Sequence, residues 1–234
     1  MLVVKDKPKS PISEAYRTLR SNIQFSSFDK EMQLILITSS GPGEGKSTTS
    51  CNLALAMAEA GNSVLLLDCD LRKPSTHKKF KISNNVGLSN VLAGRAKFED
   101  SSHWYSKNLC ILTAGKIPPN PAEMLSSNRM KAFLKEARGV FKYIILDAPP
   151  VIAVTDPQIL STMVDGVILV VSSGVAEIEA AKRAKELLEN VNANIIGSVL
   201  NRVDTQSRHG YYGGYYYYYG DEGQKVKKHK EEEE

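Results

Sequence analysis

The chain has 234 residues, enough for one full core and too few for a second large domain. Its 42% hydrophobic and 24% charged residues are those of a globular protein, and a net charge of +4 is too mild to argue nucleic-acid binding. No apolar run approaches the roughly 20 residues that span a bilayer, and the opening MLVVKDKPKS lacks a signal-peptide core, so the chain is expected in the cytoplasm.

Residues 1–9 read as a loose arm. Ser10-Pro11 then opens a helix over about 11–25, with Ser as N-cap and Pro at the first helical position. Ala15, Leu19 and Ile23 fall on one face of it, with Glu14, Arg17 and Arg20 as a charged stripe beside them. From residue 33 aliphatic runs alternate with helical patterns. Gln33–Thr38 (QLILIT) is a continuous apolar strand, as expected of a strand buried on both faces. Ser47–Ala60 is a small-residue helix closed by Gly61, followed by the strand Ser63–Asp68 (SVLLLD). Residues 72–107 are less regular and are expected at the ligand-binding edge, and Asn108–Thr113 is a weaker strand. Helical stretches near 121–139 lead to Tyr143–Asp147 (YIILD), then Gly166–Val171, a helix at about 176–190 and Ile195–Leu200. This alternation predicts an α/β fold of three layers, a mainly parallel sheet between helices. Cys51, Cys69 and Cys110 sit singly in apolar runs without disulfide or metal spacing, and are expected to be buried thiols without a role.

The segment Ser40-Gly41-Pro42-Gly43-Glu44-Gly45-Lys46-Ser47 follows a buried strand and opens a helix, the context in which a G-x-x-x-x-G-K-[ST] loop binds phosphate. Ser40 replaces the first glycine, but the Gly-x-Gly-x-Gly-Lys-Ser core is intact. Glycines let backbone N–H groups turn towards phosphate oxygens, and the helix N-terminus favours an anion. Gly43, Glu44, Gly45, Lys46, Ser47 and Thr48 are the expected nucleotide contacts, with Lys46 on the β- and γ-phosphates and the Ser47 hydroxyl on Mg²⁺. Two apolar runs end in acid, one at Asp147 and one at the pair Asp68 and Asp70. Paired carboxylates need a cation or proton, and Mg²⁺ would supply the charge. Asp68 is the preferred base, because one carboxylate must face the acceptor hydroxyl. The alternative is that these residues only cap the turns they begin.

Taken together, SGPGEGKST, VLLLDCDLRKP, YIILDAPP and a terminal tyrosine cluster resemble the bacterial tyrosine kinases of capsule and exopolysaccharide synthesis over about residues 10–219, in the stand-alone form of Gram-positive bacteria. The resemblance implies a P-loop fold related to the MinD/ParA ATPases, binding ATP and Mg²⁺. It also implies that Asp68 is catalytic with Lys46, and that Ser47, Asp70 and Asp147 hold the metal. Asn201 and Arg202 fall where related ATPases contact adenine, and Glu14, Arg17 and Arg20 fall where the family makes ring-shaped homo-oligomers. A separate transmembrane activator that recruits the chain to the inner face of the membrane, a cognate phosphotyrosine phosphatase and other protein tyrosine substrates are implied in the same way.

Beyond Arg202 the composition changes. A kinase domain over 10–202 is expected to be followed by a mobile tail over 203–234, almost without aliphatics. The tail holds Tyr211, Tyr212, Tyr215, Tyr216, Tyr217, Tyr218 and Tyr219. As phosphate acceptors they would each gain about −1.5 to −2 charges, enough to loosen an oligomer. The competing readings are a MinD/ParA-like ATPase switch, an ATP-binding scaffold and a merely adhesive tail. The switch ATPases usually carry a further Lys five residues before the invariant one, and here that position is Gly41. Transfer within one chain and transfer between chains both satisfy the reach of the tail.

Overall fold

A computed structural model describes residues 1–25 and 32–203. It divides into one unit over Met1–Asn201 and a second over Arg202–Glu234. The tail tyrosines and the expected mobile tail lie outside the described residues, apart from Val203.

The first unit begins with a single helical turn, α1 (Val3–Asp6), and the helix α2 (Pro11–Phe25). The strand β1 (Leu34–Ser39) leads through the glycine-rich loop to α3 (Lys46–Glu59), then β2 (Val64–Asp68). Three short helices follow, α4 (Thr76–Phe80), α5 (Leu88–Leu92) and α6 (Phe98–Ser101), before the hairpin of β3 (His103–Ser106) and β4 (Leu109–Leu112). The chain continues through α7 (Pro121–Ser126), α8 (Asn128–Arg138), β5 (Tyr143–Asp147), α9 (Asp156–Ser161), β6 (Gly166–Ser172), α10 (Ile178–Glu189) and β7 (Ile195–Asn201). The strands form one sheet in the order β3-β4-β2-β5-β1-β6-β7. Every pairing is parallel except that of β3 with β4. The expected three-layer α/β fold is thus borne out.

Successive strand residues feed opposite cores, as a period of two requires. Leu34 and Leu36 join Leu65, Leu67, Ile144 and Leu146 under α8, α9 and α10. Ile35 and Ile37 join Leu66, Ile145 and Ile168 under α1, α2 and α3. Burial on both faces is why these runs read as unbroken aliphatic stretches.

Two expectations are corrected. The arm over 1–9 is not loose. Leu2, Val3 and Val4 are buried, the Val4 N–H donates to Asn52 Oδ1 of α3 (3.0 Å), and the Ser13 hydroxyl binds Val3 O and Lys7 O (3.0 and 2.7 Å). The inward face of α2 is Tyr16, Leu19 and Ile23, whereas Ala15 is exposed. The cap is as expected, with the Ser13 N–H donating to Ser10 Oγ (3.2 Å). All three cysteines are free and buried. Among the described residues no helix is long and apolar enough to cross a membrane.

The start of β1 is held by Asp165. Its Oδ2 accepts the N–H groups of Gln33 and Leu34 (2.9 and 2.7 Å), and Arg138 pairs with both carboxylate oxygens (2.9 and 2.6 Å). Burial works against the carboxylate's charge, but Arg138 and the two amides outweigh it and hold its pKa below the ordinary value. A depressed pKa means that the stabilisation is present above the ordinary carboxylate range and is lost as pH falls through the lowered value. Asp165→Ala removes the acceptor of both amides and the ion-pair partner of Arg138, so it is expected to cost about 2 kcal/mol and to lower Tm by roughly 4–8 °C at neutral pH. Thermal melts that coincide at neutral pH would contradict this.

Candidate active site

Ligands in open parallel sheets bind beyond the carboxyl ends of the strands. Here β1, β2 and β5 bring three functional segments to that edge. In the strand register Asp68 lies directly beside Asp147, and Ile37, shortly before the loop, pairs with Asp147 on its other side.

The loop is shaped by two positive dihedrals, Gly43 at φ 79° and Gly45 at φ 100°, values that side chains with a Cβ resist. Ser40 in place of a glycine has a use. Its hydroxyl and the Gly41 N–H (2.6 Å) both donate to Glu44 Oε1, knotting the loop from inside. The Glu44 carboxylate is therefore buried in the loop and not presented to a ligand. Asn201, at the end of β7, donates from Nδ2 to Glu44 O (2.9 Å), and a Cβ on Gly45 would stand 2.0 Å from that nitrogen. The predicted adenine-side residue Asn201 is thus at the loop, while Arg202 begins the second unit.

Lys46 opens α3 and points into the carboxylates. Its Nζ lies 2.9 Å from Asp70 Oδ2, 3.8 Å from Asp147 Oδ1 and 3.3 Å from Ser47 Oγ. Burial opposes the ammonium charge, but Asp147 and Asp70 together prevail and raise its pKa. Asp147 is wholly buried; burial raises its pKa, and Lys46 and the Ser47 and Ser50 hydroxyls temper that rise. Its Oδ1 accepts from Ser50 (3.2 Å), and its buried Oδ2 has no hydrogen-bond partner. Burial, then the neighbouring Asp147 charge, lifts Asp68 to about 7. Three carboxylates around one ammonium leave unsatisfied negative charge, and the orphaned Asp147 oxygen marks where a cation would be welcome. Among the described residues no group of three His, Cys, Asp or Glu forms a metal cage. A hard cation at a phosphate site takes one or two carboxylates together with phosphate oxygens and waters. Ser47, Asp70 and Asp147 can hold such an ion.

Both acids of the Asp68–Asp70 pair also make the turn contacts that sequence left open as an alternative. Asp68 accepts the N–H groups of Asp70 (3.3 Å), Ser75 (3.1 Å) and Thr76 (3.0 Å), and so caps α4. Asp70 Oδ1 accepts from Lys73 N–H (2.9 Å). These turn contacts take up part of the hydrogen-bonding capacity of both side chains. Glu14, Arg17 and Arg20 stand away from the loop on α2. Arg17 pairs with Glu14 (3.0 Å) and reaches Glu59 (3.8 Å), and Arg20 donates to Ala56 O (2.9 Å), so both arginines fasten α2 to α3.

Sequence reasoning missed two residues. Lys79 of α4 donates to Thr48 Oγ1 in the loop helix (2.9 Å), and Ser50 steadies Asp147. Ser50 is legible in hindsight one turn after Lys46, since its hydroxyl also bonds Lys46 O (2.9 Å). Lys79 carries no spacing signal, because it reaches the loop only through the fold of the crossover.

The CobQ/CobB/MinD/ParA nucleotide binding domain matches residues 35–214. The chain is 46% identical over 215 residues to tyrosine-protein kinase YwqD of Bacillus subtilis, covering 91% of each. Its structure is similar to the crystal structure of the chimerical protein CapA2B2, with a TM-score of 0.84 and 42% identity over 86% of this chain and 89% of that one. It is also similar to the kinase domain of the Escherichia coli tyrosine kinase ETK, with a TM-score of 0.82 and 31% identity over 90% and 85% of the two chains. With the phosphate loop, the three strand-end acids and these relatives in agreement, the chain belongs to the bacterial tyrosine-protein kinases, within the CobQ/CobB/MinD/ParA nucleotide-binding fold.

Proposed function

We propose that this chain is an ATP-dependent protein-tyrosine kinase that phosphorylates its own tyrosine cluster and regulates capsule or exopolysaccharide synthesis. The observation that carries the reading is the convergence of Lys46, Asp68, Asp70 and Asp147 at one phosphate loop, in a chain whose relatives are named tyrosine-protein kinases. Gly43 to Thr48 hold the triphosphate with backbone N–H groups at the start of α3, and Asn201 and Arg202 flank the adenine. Ser47, Asp70 and Asp147 would hold Mg²⁺, which when bound would supply positive charge for the phosphoryl transfer. Lys46 then turns from its carboxylates towards the phosphates.

Asp68 serves the acceptor. A carboxylate offers roughly four lone-pair positions, and three backbone amides take up part of that capacity. The remainder accepts the proton of the tyrosine hydroxyl as its oxygen bonds to the γ-phosphorus, while the bond from that phosphorus to the bridging oxygen breaks and ADP departs. A phenol with pKa near 10 needs that assistance at neutral pH.

The acceptors are Tyr211, Tyr212 and Tyr215 to Tyr219 of a neighbouring subunit in a ring, with α2 presenting its exposed Glu14 edge to the contact. A transmembrane activator brings the cytoplasmic chain to the membrane, and a phosphotyrosine phosphatase resets it. Further tyrosine proteins are substrates. Transfer between chains is tested by mixing Lys46→Met protein with tail-deleted active protein. Label on the Lys46→Met tail is expected, and its absence would refute transfer in trans.

A further inference from the structure

Lys46 is the obvious cation of the phosphate loop, yet two carboxylates already engage it. A second ammonium reaches the same loop from the crossover that follows β2. Asp68 receives the N–H groups of Ser75 and Thr76 and so fixes the start of α4. Lys79, one turn further along and half-buried, then donates from Nζ to Thr48 Oγ1 at 2.9 Å. Among the described residues no carboxylate pairs with it. Its surroundings are cationic, because a cavity of about 500 Å³ beside it is lined by Lys5, Lys78, Lys79 and Lys81, with Asp6 the one acid. A charge fixed at the first turn of a phosphate-binding helix, and without a counter-ion, is placed for an anion.

We infer that Lys79 is a second phosphate-binding cation of the nucleotide site, acting on the phosphates that stay with the product while Lys46 acts on the one transferred. The inference rests on the nucleotide reading above. The division of labour follows from position. Lys46 and Ser47 lie at the carboxylates, where transfer occurs. Thr48 is one residue further around the helix than Ser47, and Lys79 engages its hydroxyl, whereas Lys46 engages Asp70 and Asp147. Lys79 therefore strengthens ATP and ADP binding alike and lowers the transfer barrier little, the signature of uniform binding.

The test measures ADP affinity by titration of the full chain with a fluorescent ADP, alongside KM and kcat for tail phosphorylation. Lys79→Met is expected to raise the ADP Kd and the ATP KM together by about tenfold, the effect of losing one charge-assisted hydrogen bond, with kcat within about twofold of wild type. Lys79→Arg should restore most of the affinity. Lys78→Met, which alters the same cavity without touching Thr48, should bind as wild type. Wild-type affinity in Lys79→Met overturns the inference and leaves the nucleotide reading standing. So does weakened binding that tracks a lowered Tm and is not rescued by Arg, since that is the mark of a packing role. Failure of the wild-type chain to bind ADP overturns both.

Discussion

Replacing Lys46 by Met is expected to lower tail phosphorylation by about 10³-fold or more, the scale of losing a preorganised charge at a phosphoryl-transfer centre. The geometry makes the loss twofold in kind. The Lys46 ammonium is the cation proposed to meet the transferred group, and it also balances Asp70 at 2.9 Å and Asp147 at 3.8 Å. Without it burial raises the pKa of Asp147 with less opposition, and a protonated Asp147 is a poor metal ligand. The variant therefore loses both cation and metal affinity, although its backbone has no reason to change. The fold can be checked by far-UV circular dichroism and the activity by incorporated phosphate. A folded Lys46→Met chain that labels its tail at the wild-type rate would remove the phosphate loop from the mechanism.

The second large effect is at Asp68. Asp68→Ala removes the proposed proton acceptor and also the acceptor for the Ser75 and Thr76 amides that begin α4. It should lose about 10²–10⁴-fold in rate, and about 2 kcal/mol of stability, or roughly 4–8 °C in Tm. Asp68→Asn separates the two. Its amide oxygen still caps α4 but takes no proton, so the rate should fall as in the alanine variant while Tm stays near wild type. Asn at the wild-type rate would show that Asp68 is a cap and no more.

Much of this was legible in the sequence, for a physical reason. Strands buried on both faces must be apolar throughout, so β1, β2, β5 and β6 announced themselves as LILIT, VLLLD, YIILD and GVILVV. The acids Asp68 and Asp147 stood out because charge at the end of such a run needs a partner. What failed depended on tertiary contacts. The strand β3 alternates half-buried and exposed positions over only four residues and pairs antiparallel at the sheet edge, too short a pattern to register. The helical turn at Val3–Asp6 forms because Asn52, some fifty positions away, receives its backbone. On α2, a spacing of four chose Ala15, whereas the larger Tyr16 supplies the buried contact.

Within the site the same division holds. Lys46 and Ser47 follow from the loop motif, but the closure of Asn201 onto Glu44 spans 157 positions and has no signal in the sequence, where resemblance marks Asn201 only as an adenine contact. Glu44 is expected at the nucleotide as part of the loop backbone, and its carboxylate serves the loop itself through Ser40 and Gly41. That contact also accounts for the serine where the motif has glycine. Lys79 has no motif at all, since its position depends on the capped turn after Asp68.

The central claim is tested most directly by incubating the purified full chain with Mg²⁺ and ATP, adding the activator if the chain alone is silent, and measuring its intact mass and the masses of its proteolytic fragments. The account predicts a ladder of added phosphates confined to the fragment that carries Tyr211 to Tyr219, absent in Lys46→Met. Steady ADP release with no gain in mass under either condition would contradict it, and would favour an ATPase switch on the same fold.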